Sequence, residues 1–387
     1  MSYREPVRNI VPLAAMGFAA FVYVTFEVFA VGLIAPMARD LGVTEGSIGL
    51  LMTVYAGIVA LITIPAMHYT RRIDRKPLYM ATLVFLLAGV VLQAVAPTYA
   101  VLVIARVIAA LTHGLFWSLV NPMAARLGGE GHTGQAVAVV SLGSTMALVL
   151  GSPAVTFIGG LIGWRGATWA LGALVVVSFL VLMATLPAMP AILPEQAAAK
   201  QTRSAIPSLI LFLGLAVTAL FTTYTYLGLI VNTTSGPAWV PFGLALYGLI
   251  GIPGVLWAGR RVDRRMIRLN VVPTILMVLA SSLGLFALSI HGPAATASTV
   301  AMISVLGLAA GALPTVATTI FLFAGGPNQD RASAIYVVTF QVGIASGSAL
   351  GALAVDGGVL AGTLALTALL ASAAGLVMAL WSRPILR

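Results

Sequence analysis

VPLAAMGFAAFVYVTFEVFAVGLIAPM, residues 11–37, holds one ionisable side chain, Glu27, in an otherwise apolar run. An α-helix rises about 1.5 Å per residue and needs about 20 residues to cross the hydrocarbon core of a bilayer, so this run is long enough to span one. Glu27 lies past its middle, deep in that span. An isolated carboxylate at such a depth is costly in lipid. It belongs against protein or a water-filled cavity, which makes it a candidate functional group.

Outward from this run the composition carries the same message. Hydrophobic residues make up 60% of the chain and charged residues 8%, where soluble domains carry about a quarter charged residues. Apolar runs of membrane-spanning length recur throughout, a helical signature, since barrel strands would read as short alternating segments. The run behind Arg4 and Arg8 is too long for a signal-peptide core and is expected to remain as the first helix. The net charge of +10 comes from 20 Lys and Arg. All of these except Arg39, Arg165 and Arg106 fall in the termini and in alternate loops sharing one side. That is the positive-inside pattern, and it predicts an inner-membrane protein with cytoplasmic termini rather than a nucleic-acid binder. With no cysteine, disulfides and thiolate chemistry are excluded.

Twelve spans are expected, at residues 11–37, 47–69, 78–96, 100–127, 136–162 and 167–190 in the first half. The second half continues at 207–231, 239–259, 270–290, 299–324, 332–355 and 359–381. Residues 191–206 form the longest polar connection, so the expected units are residues 1–190, a cytoplasmic linker at 191–206, and residues 207–387. The halves echo each other. Arg71-Arg72-Ile73-Asp74-Arg75-Lys76 follows the second span, and Arg260-Arg261-Val262-Asp263-Arg264-Arg265 follows the eighth. Gly32-Leu33-Ile34 at the end of the first span matches Gly228-Leu229-Ile230 at the end of the seventh. The expected fold is therefore all-α and integral to the membrane: twelve transmembrane helices as two pseudo-symmetric six-helix bundles, with a solute site between them. The basic blocks serve as topological anchors or as a gate.

Depth counting from the span ends brings three groups to similar levels. Arg106 lies about 10 Å, Glu27 about 15 Å and His113 about 20 Å from the same surface. A carboxylate in such a setting can load and release protons, and histidine is suited to relay them. The competing reading of Glu27 and Arg106 is a fixed ion pair, and that of His113 a packed polar group. Trp117 and Asn121 continue the His113 face at four-residue steps. Tyr23, Thr223, Tyr224, Tyr226 and Gln341 offer hydroxyl, amide and aromatic surfaces to a polar or amphipathic solute, or else simply pack. By the Gly-Leu-Ile echo, Thr223 stands where Glu27 stands in the first half. Gly143, Gly151 and Gly159, spaced by eight, and Gly343 and Gly347, spaced by four, read as helix-packing faces. Pro153 can kink its helix. Zinc-protease, phosphate-loop and nucleophile-elbow motifs are absent from the sequence, which argues against an enzyme, a metal site or a cofactor.

Several of these segments together carry a resemblance. They are the basic block after the second span, Ala105-Arg106 through His113-Gly114-Leu115-Phe116-Trp117-Ser118, and Gly151-Ser152-Pro153 followed by Gly159-Gly160 and Gly163-Trp164-Arg165. Tyr224-Thr225-Tyr226 and Phe340-Gln341-Val342-Gly343 add support. Over its whole length the chain is similar to the major facilitator superfamily, and within it to the twelve-helix drug-proton antiporters that include bacterial sugar and arabinose efflux proteins. The resemblance implies that the first and fourth helices line one cavity, that Arg106 is the fourth-helix arginine associated with proton transfer, and that the direction is efflux. It implies a monomer in the lipid bilayer whose partners are protons and a small-molecule solute such as a drug, sugar or metabolite. A proton symporter for uptake, or an uncoupled facilitator, is the alternative on this fold. One departure stands out. In the usual loop pattern, Gly-x-Leu-Ala-Asp-Arg-x-Gly-Arg-Lys, Met67 replaces the first glycine, Arg71 the acid and Asp74 the second glycine.

Overall fold

A computed structural model describes residues 10–128, 133–191, 206–259, 262–325 and 329–381. The first half begins with α1 (Ile10–Glu27) and α2 (Ile34–Leu41), closed by Gly42 in the left-handed region. Next come α3 (Glu45–Thr70), α4 (Arg75–Ala94), α5 (Tyr99–Gly128) and α6 (Thr133–Met146). A π-helical turn, Ala147–Gly151, then leads into α7 (Ser152–Thr185). The second half comprises α8 (Ile206–Tyr224), α9 (Leu227–Ser235), α10 (Val240–Gly259), α11 (Val262–Ser289), α12 (Pro293–Gly325), α13 (Gln329–Asp356) and α14 (Leu360–Trp381).

Among the described residues, 11 stretches are long and apolar enough to cross a membrane. One of them, Leu142–Thr185, has 44 residues, about twice what one crossing needs, and its helix is broken at Gly163 (φ 79°). Counted as two passes, it gives twelve. The expected linker at 191–206 lies almost wholly outside the described residues, as do Arg260 and Arg261 and the side chains of Asp263 and Asn121.

The structure departs from the sequence reading in the first and seventh passes, each expected as one helix. The first breaks after Glu27, where Val31 N–H bonds Val28 O (3.1 Å) and Leu33 N–H bonds Ala30 O (2.8 Å) in tight three-residue turns. The seventh breaks at Thr225–Tyr226. Under the Gly-Leu-Ile echo the two breaks fall at equivalent places.

These breaks build the boundary between the halves. Val28, Val31, Met52 and Ala56 from the first half are buried in the core of the second, while Tyr226, Leu229 and Ala352 from the second are buried in the core of the first. At the crossing, a Cβ on Gly228 would strike the carbonyl oxygen of Val31. Thr53 Oγ1 donates to Ala345 O at 3.0 Å nearby. All of these contacts lie on the side away from the termini, so the two halves are closed together there. Gly228→Val is expected to disfavour this closed arrangement by the ~1–3 kcal/mol typical of overpacking, about 5- to 150-fold in population. Distances between spin labels on α2 and α9 would report it, and an unchanged distribution would count against the crossing as a determinant of closure.

The small-residue faces pack within their own halves. A Cβ on Gly143 would meet Gly17, one on Gly151 would meet Thr25, and one on Gly159 would meet Leu33, so the fifth pass lies against the first along its length. Pro153 has no N–H to donate and sits just after the π-helical turn. Gly343 and Gly347 pack on Val217 and Thr218 of α8.

The first basic block is also bound to its own half. Lys76 Nζ donates to the carbonyls of Met183 and Leu186, Arg75 N–H to Met189 O (2.8 Å), and Asp74 Oδ1 accepts from Ala191 N–H (3.1 Å). Lysine at these carbonyls satisfies the C-terminal end of α7. Arg71 and Arg72 are exposed. On the opposite side, Arg165 bonds Asp40 and donates to Ala96 O (2.7 Å), and Trp164 Nε1 donates to Asp40 (3.0 Å). The Arg165 hydrogen bond holds the Asp40 carboxyl below its ordinary range.

Candidate functional site

At the break after Glu27, Arg106 of α5 donates to two main-chain carbonyls, one of which, Phe26 O, also accepts from Phe29 N–H at 3.3 Å. Arg106 Nη1 donates to Phe26 O at 2.6 Å and to Glu27 O at 3.3 Å. The guanidinium carbon lies 4.5 Å from the centre of the Phe26 ring, a cation–π distance, and the side chain is buried. The ion pair between Arg106 and the Glu27 carboxylate considered from sequence is therefore replaced by a main-chain clamp. A buried arginine pays its desolvation best through charge-assisted hydrogen bonds, and the broken helix supplies the acceptors. Its Nε and Nη2 have no hydrogen-bond partner among the described residues.

The clamp sets the end of α1 so that the Glu27 side chain leaves the helix toward α5 and α13. His113, two helical turns beyond Arg106, places Nε2 3.8 Å from Glu27 Oε2. The other ring nitrogen, Nδ1, is 2.8 Å from the Tyr55 hydroxyl of α3. If Tyr55 donates to Nδ1, the neutral ring carries its proton on Nε2, facing the carboxylate. From the second half, Gln341 of α13 and Tyr224 of α8 lie beside Glu27. Glu27 thus sits where both halves meet, which depth counting along single helices could not establish.

The remaining candidates divide by position. Trp117 is half-buried beside His113, with ring centres 6.3 Å apart. Tyr224 stacks on Tyr247 at 4.8 Å. Tyr23 turns instead into the first half, donating to Thr82 O (2.6 Å) and stacking on Phe116 (4.0 Å). Thr223 pairs with Thr367 of α14 (2.7 Å) inside the second half. Its equivalence to Glu27 is positional and does not extend to the environment. Tyr226 is wedged between Gly49 and Gly351 at the boundary and donates to Ser348 O (3.1 Å). In this conformation Tyr224 and Gln341 lie beside Glu27, Trp117 and Tyr23 border His113, the Tyr23 ring at 5.6 Å, and Thr223 and Tyr226 are held by the contacts just described.

Tyr55 was missed from sequence. It is one of several hydroxyl residues in its span, and its partner lies 58 residues away. Tyr55→Phe removes the bond to His113 and leaves a buried ring nitrogen unpaired, so a stability loss of about 1–3 kcal/mol is expected. Thermal unfolding in detergent checks this, and an unchanged midpoint would count against the bond as a determinant of the fold.

Comparison with known proteins adds to this geometry. The family model for the Major Facilitator Superfamily matches residues 16–302. Chloramphenicol efflux pumps of two Mycobacterium tuberculosis strains, CDC 1551 / Oshkosh and H37Rv, are each 32% identical over 364 residues, covering 88% of this chain and 85% of theirs. A solved bacterial homologue of the human lysosomal transporter Spinster, inward-facing and unoccupied, superposes with a TM-score of 0.79 at 14% identity, covering 98% of each chain. The nucleoside transporter NupG superposes with a TM-score of 0.76 at 14% identity, covering 96% of this chain and 99% of that one. With its twelve passes in two halves, the chain belongs to the Major Facilitator Superfamily, as a multi-pass membrane transporter.

Proposed function

We propose that this chain is a proton-coupled exporter, an antiporter that moves a small organic solute out of the cell as protons return. In this reading it lies in the inner membrane as a monomer with cytoplasmic termini, as the distribution of Lys and Arg suggests. The observation that carries the reading is Glu27, an intramembrane carboxylate with His113 of its own half at 3.8 Å and Gln341 of the other half beside it. Efflux is supported by the similarity to the Mycobacterium chloramphenicol efflux pumps, and the chemistry does not need an enzyme's catalytic centre.

The proposed cycle follows from differential affinity. Protonated Glu27 is neutral and tolerates a dry, closed environment, whereas the carboxylate needs the nearby Arg106 charge, His113 and Gln341. A solute engaging Gln341, Trp117 or Tyr224 changes those surroundings and favours proton loss. Neutralisation by a proton from the other side favours solute release. A ligand moves the equilibrium only by binding one state more tightly, and here proton and solute do so in opposite senses. Protons reach Glu27 by way of His113 and the Tyr55 hydroxyl.

The test is purified protein in liposomes with a trapped pH dye, with chloramphenicol as the first solute and Glu27→Gln alongside. Solute-induced proton movement opposite to solute flow, absent in the variant, is expected. Proton movement in the same direction as the solute would make the protein a symporter. Solute flux with no proton movement would make it a facilitator.

A further inference from the structure

Asp356, the last residue of α13, is seated on the first turn of α3 in the other half. Its Oδ2 accepts from Thr44 Oγ1 and its Oδ1 from Gly46 N–H, both at 2.9 Å. Three features mark this as more than a surface contact. The position is unfavourable on α13 itself, because a carboxylate at a helix C-terminus opposes the helix dipole. The N-terminus of α3 is the complementary end. Asp356 makes no ion pair among the described residues, so the Gly46 N–H and the Thr44 hydroxyl at the start of α3 are what face its charge. Finally, the contact crosses the boundary at its outermost point. Beneath it along the same two helices come Tyr226 between Gly49 and Gly351, then Thr53 on Ala345 O.

We infer that the Asp356 carboxylate on the α3 N-terminus is the latch that holds the two halves closed on the side away from the termini. The acid expected in the basic loop is replaced by Arg71, and Asp74 is engaged with Ala191 of its own half. Asp356 supplies a charged fastening between halves at the opposite end of the molecule. Release of the latch frees α3 from α13, lets Tyr226 leave its slot and opens that side. The inference rests on the halves alternating, and not on the identity of the solute or on proton coupling.

The chain has no cysteine, so single introduced thiols report access without background. Ala352→Cys lies one turn before Asp356, buried against the first half. Gly57→Cys continues the α3 face of Gly46, Gly49 and Thr53 beyond the closed contact, where an added Cβ meets open space. In full-length detergent-solubilised protein reacting with a fluorescent maleimide, Asp356→Asn is expected to speed labelling at position 352 about tenfold. Labelling at position 57 should slow as the opposite side closes. Gly46→Ala attacks the same contact from α3, because its Cβ would strike the Asp356 carboxylate, and it is expected to act in the same direction. It decides the question if Asp356→Asn does not give monodisperse protein. Unchanged labelling at 352 would overturn the latch. Faster labelling at 352 with no change at 57 would also overturn it, by showing local fraying rather than a shift of the halves.

Discussion

On the proposed reading, Glu27→Gln is expected to abolish uphill solute export, with a loss of at least about 100-fold, while the protein remains folded and still binds solute. The magnitude follows from the chemistry: an amide keeps the size and hydrogen-bonding shape of the protonated acid but has no proton to exchange. The surroundings tolerate the change. His113 Nε2 is at 3.8 Å rather than in a tight pair, and Gln341 can bond an amide as readily as an acid. Stability should therefore change little, and solute equilibration down its own gradient should persist. Uphill transport in energised everted vesicles, compared with solute exchange without a gradient, separates the two. Full uphill transport by the variant would exclude Glu27 as the proton carrier.

Arg106→Ala is expected to lose coupling as well, but for a different reason. The guanidinium donates to two main-chain carbonyls at the break, and its removal leaves both without that donor in a dry interior. Charge-assisted bonds of this kind contribute about 1.5–3 kcal/mol each, so a stability loss of about 3–6 kcal/mol is expected. The thermal midpoint should drop, unlike that of Glu27→Gln. Arg106→Lys supplies the charge without the planar fork and is expected to recover only part of the stability. Thermal unfolding of the three variants in detergent checks the order. Full recovery by lysine would mean that the charge acts at a distance and the clamp is unimportant.

Much of the fold was legible because the bilayer imposes length and polarity on each pass. The twelve runs, the reversal near Gly163 and the two-half repeat could be read from apolar length and from the matching blocks at Arg71 and Arg260. The closeness of Glu27 and His113 was also foreshadowed, because rise per residue fixes depth. The break after Glu27 was not, since the side chain that donates to its carbonyls, Arg106, lies 79 residues later. The same limit hid Tyr55 and Asp356. Each is an ordinary residue on its own helix and meets its partner only through another pass. Thr223 illustrates the converse: the repeat aligns it with Glu27, yet its neighbour Thr367 draws it into a packing pair. The Gly-Leu-Ile echo marks more than ancestry, because Gly32 and Gly228 are where the two broken passes cross.

The central claim is that solute binding and protonation of Glu27 exclude each other. The most direct measurement is proton release when chloramphenicol is added to purified protein in weakly buffered detergent solution, with Glu27→Gln as the comparison. The account predicts release approaching one proton per molecule from the unmodified protein and none from the variant. Equal release from both, or solute binding without any release, would contradict it.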